Sequence, residues 1–463
     1  MTLVHGEQDM HGERDTLGEQ DTLGERDITT ADGTRRTTAP WSNNGPWETL
    51  RDRKEVLVVA QTMVYAKRLH DFYSLLAPDL RVHVQFTVAP HMFNGGAAEI
   101  LRALGGTVLP WEQAVRREFD LILAAGSQGI EQLRGPVVRL PHGAGNIKLA
   151  RRGAPDGERP AIGLGRDYLY WEGRLVPTSF ALAHEEELLE LRRSCPEAVP
   201  IAEVVGDPCY DRIRAALPHR EAYRSALGLR PEEKLVLVSS TWGDGSLFTR
   251  LDAVLPRLTA ELPRHGYRTV LLPHPNIAAQ HSAYAVRSWA RATARGAVTV
   301  IPPETDWRPL LVAADFVIGD HGSVTLYGAM TGAPVLLAEY PHRHVNPRSP
   351  AAQLARTAPA LAPGHPLTDQ LAYAAEQYRP EDYAAIADRI SSEPGRFDRN
   401  ARRLLYRVLG LGQPAHTPDP EPLPLPEPLG TTAAAGAAGA LDVTAAAGAL
   451  GTTAAAAGPR WAG

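Results

Sequence analysis

Between residues 54 and 410, short apolar runs rich in β-branched residues alternate with longer stretches of helical periodicity. In the first half the runs are Glu55–Ala60, Val82–Val88, Leu121–Ala125, Val137–Leu140 and Ser179–Ala183; in the second they are KLVLVSS, RTVLLPH, AVTVIPP, DFVIGD and APVLLAE. Near-continuous apolar character marks strands covered on both faces. The intervening stretches, such as Leu247–Arg264 and Ala278–Ala294, read as helices. Strands alternating with helices predict parallel sheets with crossover helices, and two such sets predict an α/β chain with two doubly wound, Rossmann-like domains. The Gly-Asp-Pro of VVGDPCYDRI (Val204–Ile213) breaks regular structure just before a helix, so the crossing between lobes is expected there. The expected domains span 54–205 and 206–410.

The ends behave differently. Residues 5–28 are a tandem hexapeptide, HGEQDM, HGERDT, LGEQDT, LGERDI, with too few apolar groups to bury a face, so 1–53 is expected to be a disordered arm. A Pro-rich stretch and then an Ala/Gly/Thr-rich run make 411–463 a second expected disordered tail. A chain of 463 residues with 44% hydrophobic and 22% charged residues and a formal net charge of -5 fits a soluble two-domain protein and offers no basic field for nucleic acid. Cys195 and Cys209 form no C-x-x-C pair and read as reduced thiols of a cytoplasmic protein. Neither a signal-peptide pattern nor an apolar run of membrane-spanning length is present.

Open α/β sheets bind ligands beyond the carboxyl ends of their strands, and that rule selects four segments. In PHGAGNIKLA (Pro141–Ala150), His142 stands at a strand end with Gly143 and Gly145 beside it, and Lys148 is expected about a turn into a helix. An imidazole there suits removal of a proton from an attacking hydroxyl. LLPHPN (Leu271–Asn276) locks His274 between two prolines, a rigid donor toward a phosphoryl oxygen. SSTWGDGS (Ser239–Ser246) brings Ser240 and Thr241 as phosphate contacts. DFVIGDHGSVTLYGAMTGAPVLLAE (Asp315–Glu339) ends a strand at Gly319-Asp320 and opens a helix with Gly322, Ser323 and Thr325, where backbone N–H groups and hydroxyls would receive a diphosphate. Each segment also has a plain structural reading as a turn or a capped helix.

P-loop and dinucleotide glycine fingerprints are absent, as is any Asp-x-Asp pair, so no cofactor and no metal are expected. His342 and His344 in PHRHVN lack a third ligand nearby and read as a solvated or substrate-facing loop.

Taken in order, the strand-end His142-Gly143, the Gly206, Pro208, Asp211, Arg212 hinge, His274-Pro275 and Asp320-x-x-Ser323 resemble the CDP-glycerol glycerophosphotransferase family of bacterial teichoic-acid polymerases. The family's Trp-His-Gly-Thr-Pro-Leu-Lys segment is matched at His142, Gly143 and Lys148; Pro141, Ala144 and Gly322 depart from its pattern. The resemblance spans roughly 137–340 and implies a GT-B architecture, with an acceptor domain, a nucleotide-donor domain and a cleft between them. It implies transfer of a polyol-phosphate from a CDP-activated donor to a hydroxyl acceptor, with His142 as base and His274, Ser323 and Thr325 stabilising the diphosphate. Asp320 would orient a neighbour or cap the helix. Acceptors in that family are lipid-linked, which leaves peripheral contact with the inner face of the membrane open. Two other readings stay open: a glycosyltransferase or 2-epimerase acting on a UDP- or GDP-sugar, and a non-catalytic binding protein that has kept the fold.

Overall fold

The computed structural model describes residues 26–29, 35–38, 49–150, 159–294, 297–416 and 418–429. Arg26–Thr29 pairs antiparallel with Arg35–Thr38, so the arm expected to lack structure holds a short ribbon; most of its hexapeptide repeat lies outside the described residues. The ribbon belongs to one unit, Met1–Arg53, and both large sheets belong to the other, Lys54–Gly463.

The first sheet has seven strands, all parallel: β1 (Lys54–Ala60), β2 (Val82–Val88), β3 (Val108–Leu109), β4 (Leu121–Ala124), β5 (Val137–Arg139), β6 (Ser179–Leu182) and β7 (Ala202–Val204), in the spatial order β7-β6-β5-β4-β1-β2-β3. The second has five parallel strands, β8 (Lys234–Ser240), β9 (Tyr267–Pro273), β10 (Val298–Val300), β11 (Phe316–Gly319) and β12 (Val335–Leu337), in the order β10-β9-β8-β11-β12. Both orders run outward in opposite directions from the first strand of the set, the doubly wound pattern. Each sheet therefore has a switch point, between β1 and β4 in one and between β8 and β11 in the other. Burial explains why the strands were legible: β4 is buried throughout, and β8 from Leu235 onward.

Helix α1 (Met63–Tyr73) starts directly beyond β1, capped by Thr62, whose hydroxyl accepts from the Tyr65 N–H at 3.3 Å. Ala66, Leu69, Phe72 and Tyr73 bury one face of α1 in the first-lobe core. Val64, Lys67, Arg68 and Asp71, at i, i+3, i+4 and i+7, turn the other face toward the second lobe. At the expected crossing, Asp207 caps helix α2 (Pro208–Ala216), accepting from the Tyr210 N–H at 2.8 Å.

The chain crosses back near its end. Helix α3 (Arg220–Ala226) belongs to the second-lobe core through Tyr223, while α4 (Phe397–Leu409) packs Phe397, Ala401, Leu404 and Leu405 on the first sheet, with Phe397 edge-on to Phe72 at 4.8 Å. The segment expected to close the second domain thus gives its last helix to the first. Beyond α4 the Pro-rich stretch, expected to be disordered, is part of the body as far as Leu429. Leu423 is buried in the second-lobe core, its carbonyl accepts from Tyr223 Oη at 2.6 Å, and the Leu429 N–H donates to Leu227 O at 3.1 Å. Prolines already restrict that segment, so docking it orders few extra torsions while burying a leucine. Leu423→Ala is expected to cost about 2–5 kcal/mol of unfolding free energy by urea titration, with an unchanged m-value. No helix among the described residues is long and apolar enough to cross a membrane.

Candidate active site

His142 follows β5 in a loop, not at a helix start. Gly145 (φ +78°) and Asn146 (φ +42°) adopt left-handed conformations that stop a helix, and Lys148 instead forms an antiparallel bridge with Val345 of the second lobe. The loop lies close against the second lobe: a β-carbon on Gly143 would stand 3.3 Å from Ser323 Oγ, and one on Gly145 2.9 Å from Leu326 Cδ2. Glycine at these positions lets the two lobes approach around the histidine.

His142, Gly143, Ser240, His274 and Ser323 line one cleft, with about 970 Å³ of space inside it, part of it open solvent. Of the predicted residues these come together. The His274 Nδ1 accepts from the Asn276 N–H at 3.1 Å, so the proton of the neutral ring sits on Nε2, free to donate. The protein packed about the cleft lowers the His142 imidazole below its ordinary value, although the residue is exposed to solvent, and desolvation lowers that of the half-buried His274 to about 3. The side chains that then act on them most strongly are all basic: Arg139, Lys148 and Arg68 around His142, and Lys148, His142 and Lys67 around His274. Both rings are therefore neutral at ordinary pH, in a cleft lined by Lys67, Arg68 and Arg308 and by Asp71, Glu304 and Asp306. The Ser323 hydroxyl makes no hydrogen bond to a described residue.

The remaining predicted residues build the walls. The buried Asp320 carboxylate accepts from the N–H groups of Thr241 (2.9 Å), Leu247 (2.9 Å) and Gly322 (3.0 Å), tying the loop after β8 to the loop after β11 across the switch point. Burial raises its acid to about 6 even though those donors favour the anion. Ser240 Oγ donates to Thr241 O at 2.9 Å and accepts from the Phe248 N–H at 2.8 Å, so its hydroxyl is occupied. Lys148 reaches from the first lobe to Thr241 Oγ1 and Trp242 O, each at 3.4 Å, with its ammonium 5.2 Å from the Trp242 ring centre. Thr325 is not in the cleft: it is fully buried with its hydroxyl packed against Gly319. No third His, Cys, Asp or Glu converges on His342 and His344 among the described residues.

Sequence reasoning missed half of the floor. Lys67, Arg68 and Asp71 of α1, and the Pro303–Arg308 segment beyond β10, line the same cleft. Arg68 Nη2 bonds Asp207 Oδ2 at 2.7 Å, and Tyr327 Oη donates to the same carboxylate at 2.9 Å. Arg308 bonds Asp306 at 2.7 Å and reaches Asp71 at 3.3 Å. Both segments follow strand ends, the rule that selected the other four, but neither carries a Gly-His signature.

Two parallel, doubly wound sheets facing one cleft are also the plan of a solved polymerase. The chain shares the fold of TagF. The wall teichoic acid polymerase TagF superposes with a TM-score of 0.53 at 13% identity, over 78% of this chain and 90% of that one. A TagF variant soaked with CDPG gives 0.51, again at 13% identity and the same coverage. A co-structure of S. aureus MnaA with UDP aligns at 12% identity with a TM-score of 0.47, over 81% of this chain and all of that one. No protein-family model matches the chain, and no curated protein does.

Proposed function

We propose that the chain is a transferase that moves a polyol-phosphate group from a CDP-activated donor to a hydroxyl acceptor. The observation that carries this reading is the pairing, across one cleft, of two neutral histidines contributed by different lobes, with Lys148 acting on both and Lys67 on His274. The fold shared with TagF, a variant of which was soaked with CDPG, supports the choice of donor.

In the proposed reaction the acceptor hydroxyl gives its proton to His142 while its oxygen bonds to the distal phosphorus. The bond from that phosphorus to the bridging oxygen breaks, and CMP leaves with the electron pair. His274 Nε2–H and the free Ser323 hydroxyl donate to phosphoryl oxygens, where charge accumulates in the transition state. Asp320, Ser240 and Thr241 act by holding the donor loops in place.

A thermal-shift screen of the full chain against CDPG, CMP, UDP, GDP and UDP- and GDP-sugars, with and without magnesium, tests this. CDPG is expected to stabilise the protein without magnesium, by ~2.7 kcal/mol at a hundredfold excess over Kd. Ser323→Ala is expected to weaken that binding about 10-fold, the value of one hydrogen bond to a charged group. Stabilisation by uridine or guanosine ligands alone would move the assignment to sugar transfer or epimerisation. Silence with every ligand would leave a binding protein that keeps the fold without the chemistry.

A further inference from the structure

The cations that line the cleft are not equivalent. Arg68 is ion-paired with Asp207, and Arg308 with Asp306 and Asp71. Among the described residues Lys67 has no such partner: its Nζ donates to two neutral carbonyls, Pro303 O and Thr305 O, both at 2.7 Å. An ammonium has three N–H donors, so one is left without a described acceptor, in a residue that lines the same cleft as His142, His274 and Ser323. Neutral carbonyls return only part of the cost of taking an ammonium out of water, and an anion in the cleft would return the rest. Its charge reaches His274, and burial lowers its own pKa to about 8. Glu304 and Asp306, on the loop it grips, keep it a cation near neutrality.

We propose that Lys67 is a ligand-binding residue of this cleft, with its third N–H holding the distal phosphoryl group of a diphosphate donor against His274. The proposal rests on the transferase reading for the identity of the donor, but the anion chemistry of the site stands apart from the nucleotide. It also gives the first lobe a direct hand on the group transferred: α1 carries Lys67, so the bound diphosphate is gripped from both sides of the cleft. Because the same ammonium holds Pro303 and Thr305, donor binding and the contact between lobes share one side chain.

The rival explanation is that Lys67 only clamps the loop beyond β10. Calorimetric titration of the full chain, and of its Lys67→Met and Lys67→Arg variants, with CDPG, CMP and inorganic pyrophosphate separates the two. Lys67→Met is expected to weaken CDPG and pyrophosphate about 30-fold, the loss of a charge-assisted hydrogen bond, and CMP less than about threefold, since CMP lacks the distal phosphoryl. Lys67→Arg is expected to recover most of the loss. Equal weakening of CMP and CDPG in Lys67→Met would make it a loop clamp and overturn the proposal, as would pyrophosphate binding that ignores the substitution. Should the wild-type chain bind pyrophosphate through Lys67 but not CDPG, the transferase assignment falls and the phosphate contact stands. Thermal midpoints for Lys67→Met and Lys67→Arg within a few degrees of wild type confirm that the titrations compare folded proteins.

Discussion

Replacing His142 with alanine is expected to lower turnover by about 10²–10⁴-fold, while the affinity for the donor changes less than about threefold. The split follows from position. His142 comes from the first lobe, whereas the hydroxyl of Ser323 and the Nε2–H of His274 come from the second, so removing the proposed base leaves the proposed donor contacts whole. Its pH profile carries a second, sharper expectation. A base acts when deprotonated, and desolvation by the cleft together with the nearby Arg139, Lys148 and Arg68 holds the His142 imidazole below its ordinary value, an effect that solvent at this exposed residue reduces. The acid limb of kcat/KM, which reports the free enzyme, should therefore fall below the ~6.5 of an unperturbed histidine. A diphosphate bound among those cations offsets their repulsion of the imidazolium, which raises the pKa in the complex; the acid limb of kcat should then lie at higher pH than that of kcat/KM. Rate measurements from pH 3.5 to 8 give both limbs. Coincident limbs near 6.5 would show that His142 is not held as the structure has it, and full activity in His142→Ala would remove it from the chemistry.

How far the sequence carries one toward this site depends on which physical signal each part leaves. The central strands were legible because both their faces are buried, so β1, β4, β8 and β9 read as apolar runs almost to the residue. β3 and β7 were missed: two and three residues at the sheet edges, part-buried, are too short to show any period. The strand-end rule selected His142, His274, Ser240 and Ser323, which line one cleft, and it applied equally to the segments beyond β1 and β10. Those were passed over because Lys67, Arg68 and Asp71 look like the solvated side of an amphipathic helix until a second lobe is placed against them. Thr325 shows the opposite error. A Ser-x-Thr at a helix start offers two hydroxyls, but residues two apart lie about 200° around the axis, so they cannot both face one ligand. Ser323 has the cleft, and Thr325 has the strand beneath it. The Pro-rich tail misled for a compositional reason: its prolines signal an extended chain, and only the core around Tyr223 shows that an extended chain has a place to dock.

Asp207→Ala is expected to cost about 3–5 kcal/mol of stability, the penalty for leaving a buried charge without its partner. Asp207 is fully buried and Arg68 is 4% exposed in its side chain, so the guanidinium left behind would have little water to turn to. The same carboxylate caps α2 and accepts the Tyr327 hydroxyl, so one substitution strips the end of a helix and both lobes of a shared acceptor. Arg68→Met should be milder, because Asp207 keeps Tyr327 and the Tyr210 N–H. The double variant Arg68→Met with Asp207→Asn should cost less than the sum of Arg68→Met and Asp207→Asn made singly, since no unpaired charge remains and asparagine still caps. Urea titrations of the four proteins measure that coupling. Additive losses would mean that the pair is solvated in solution and that the lobes are not joined through it. Strong coupling would mean that the hinge between the lobes is fixed by a buried charge pair lying at the edge of the cleft itself. In that case the Arg68→Met variant should also lose turnover, because Lys67, its neighbour on α1, and Val64, one turn back, form the floor on which the donor is proposed to rest.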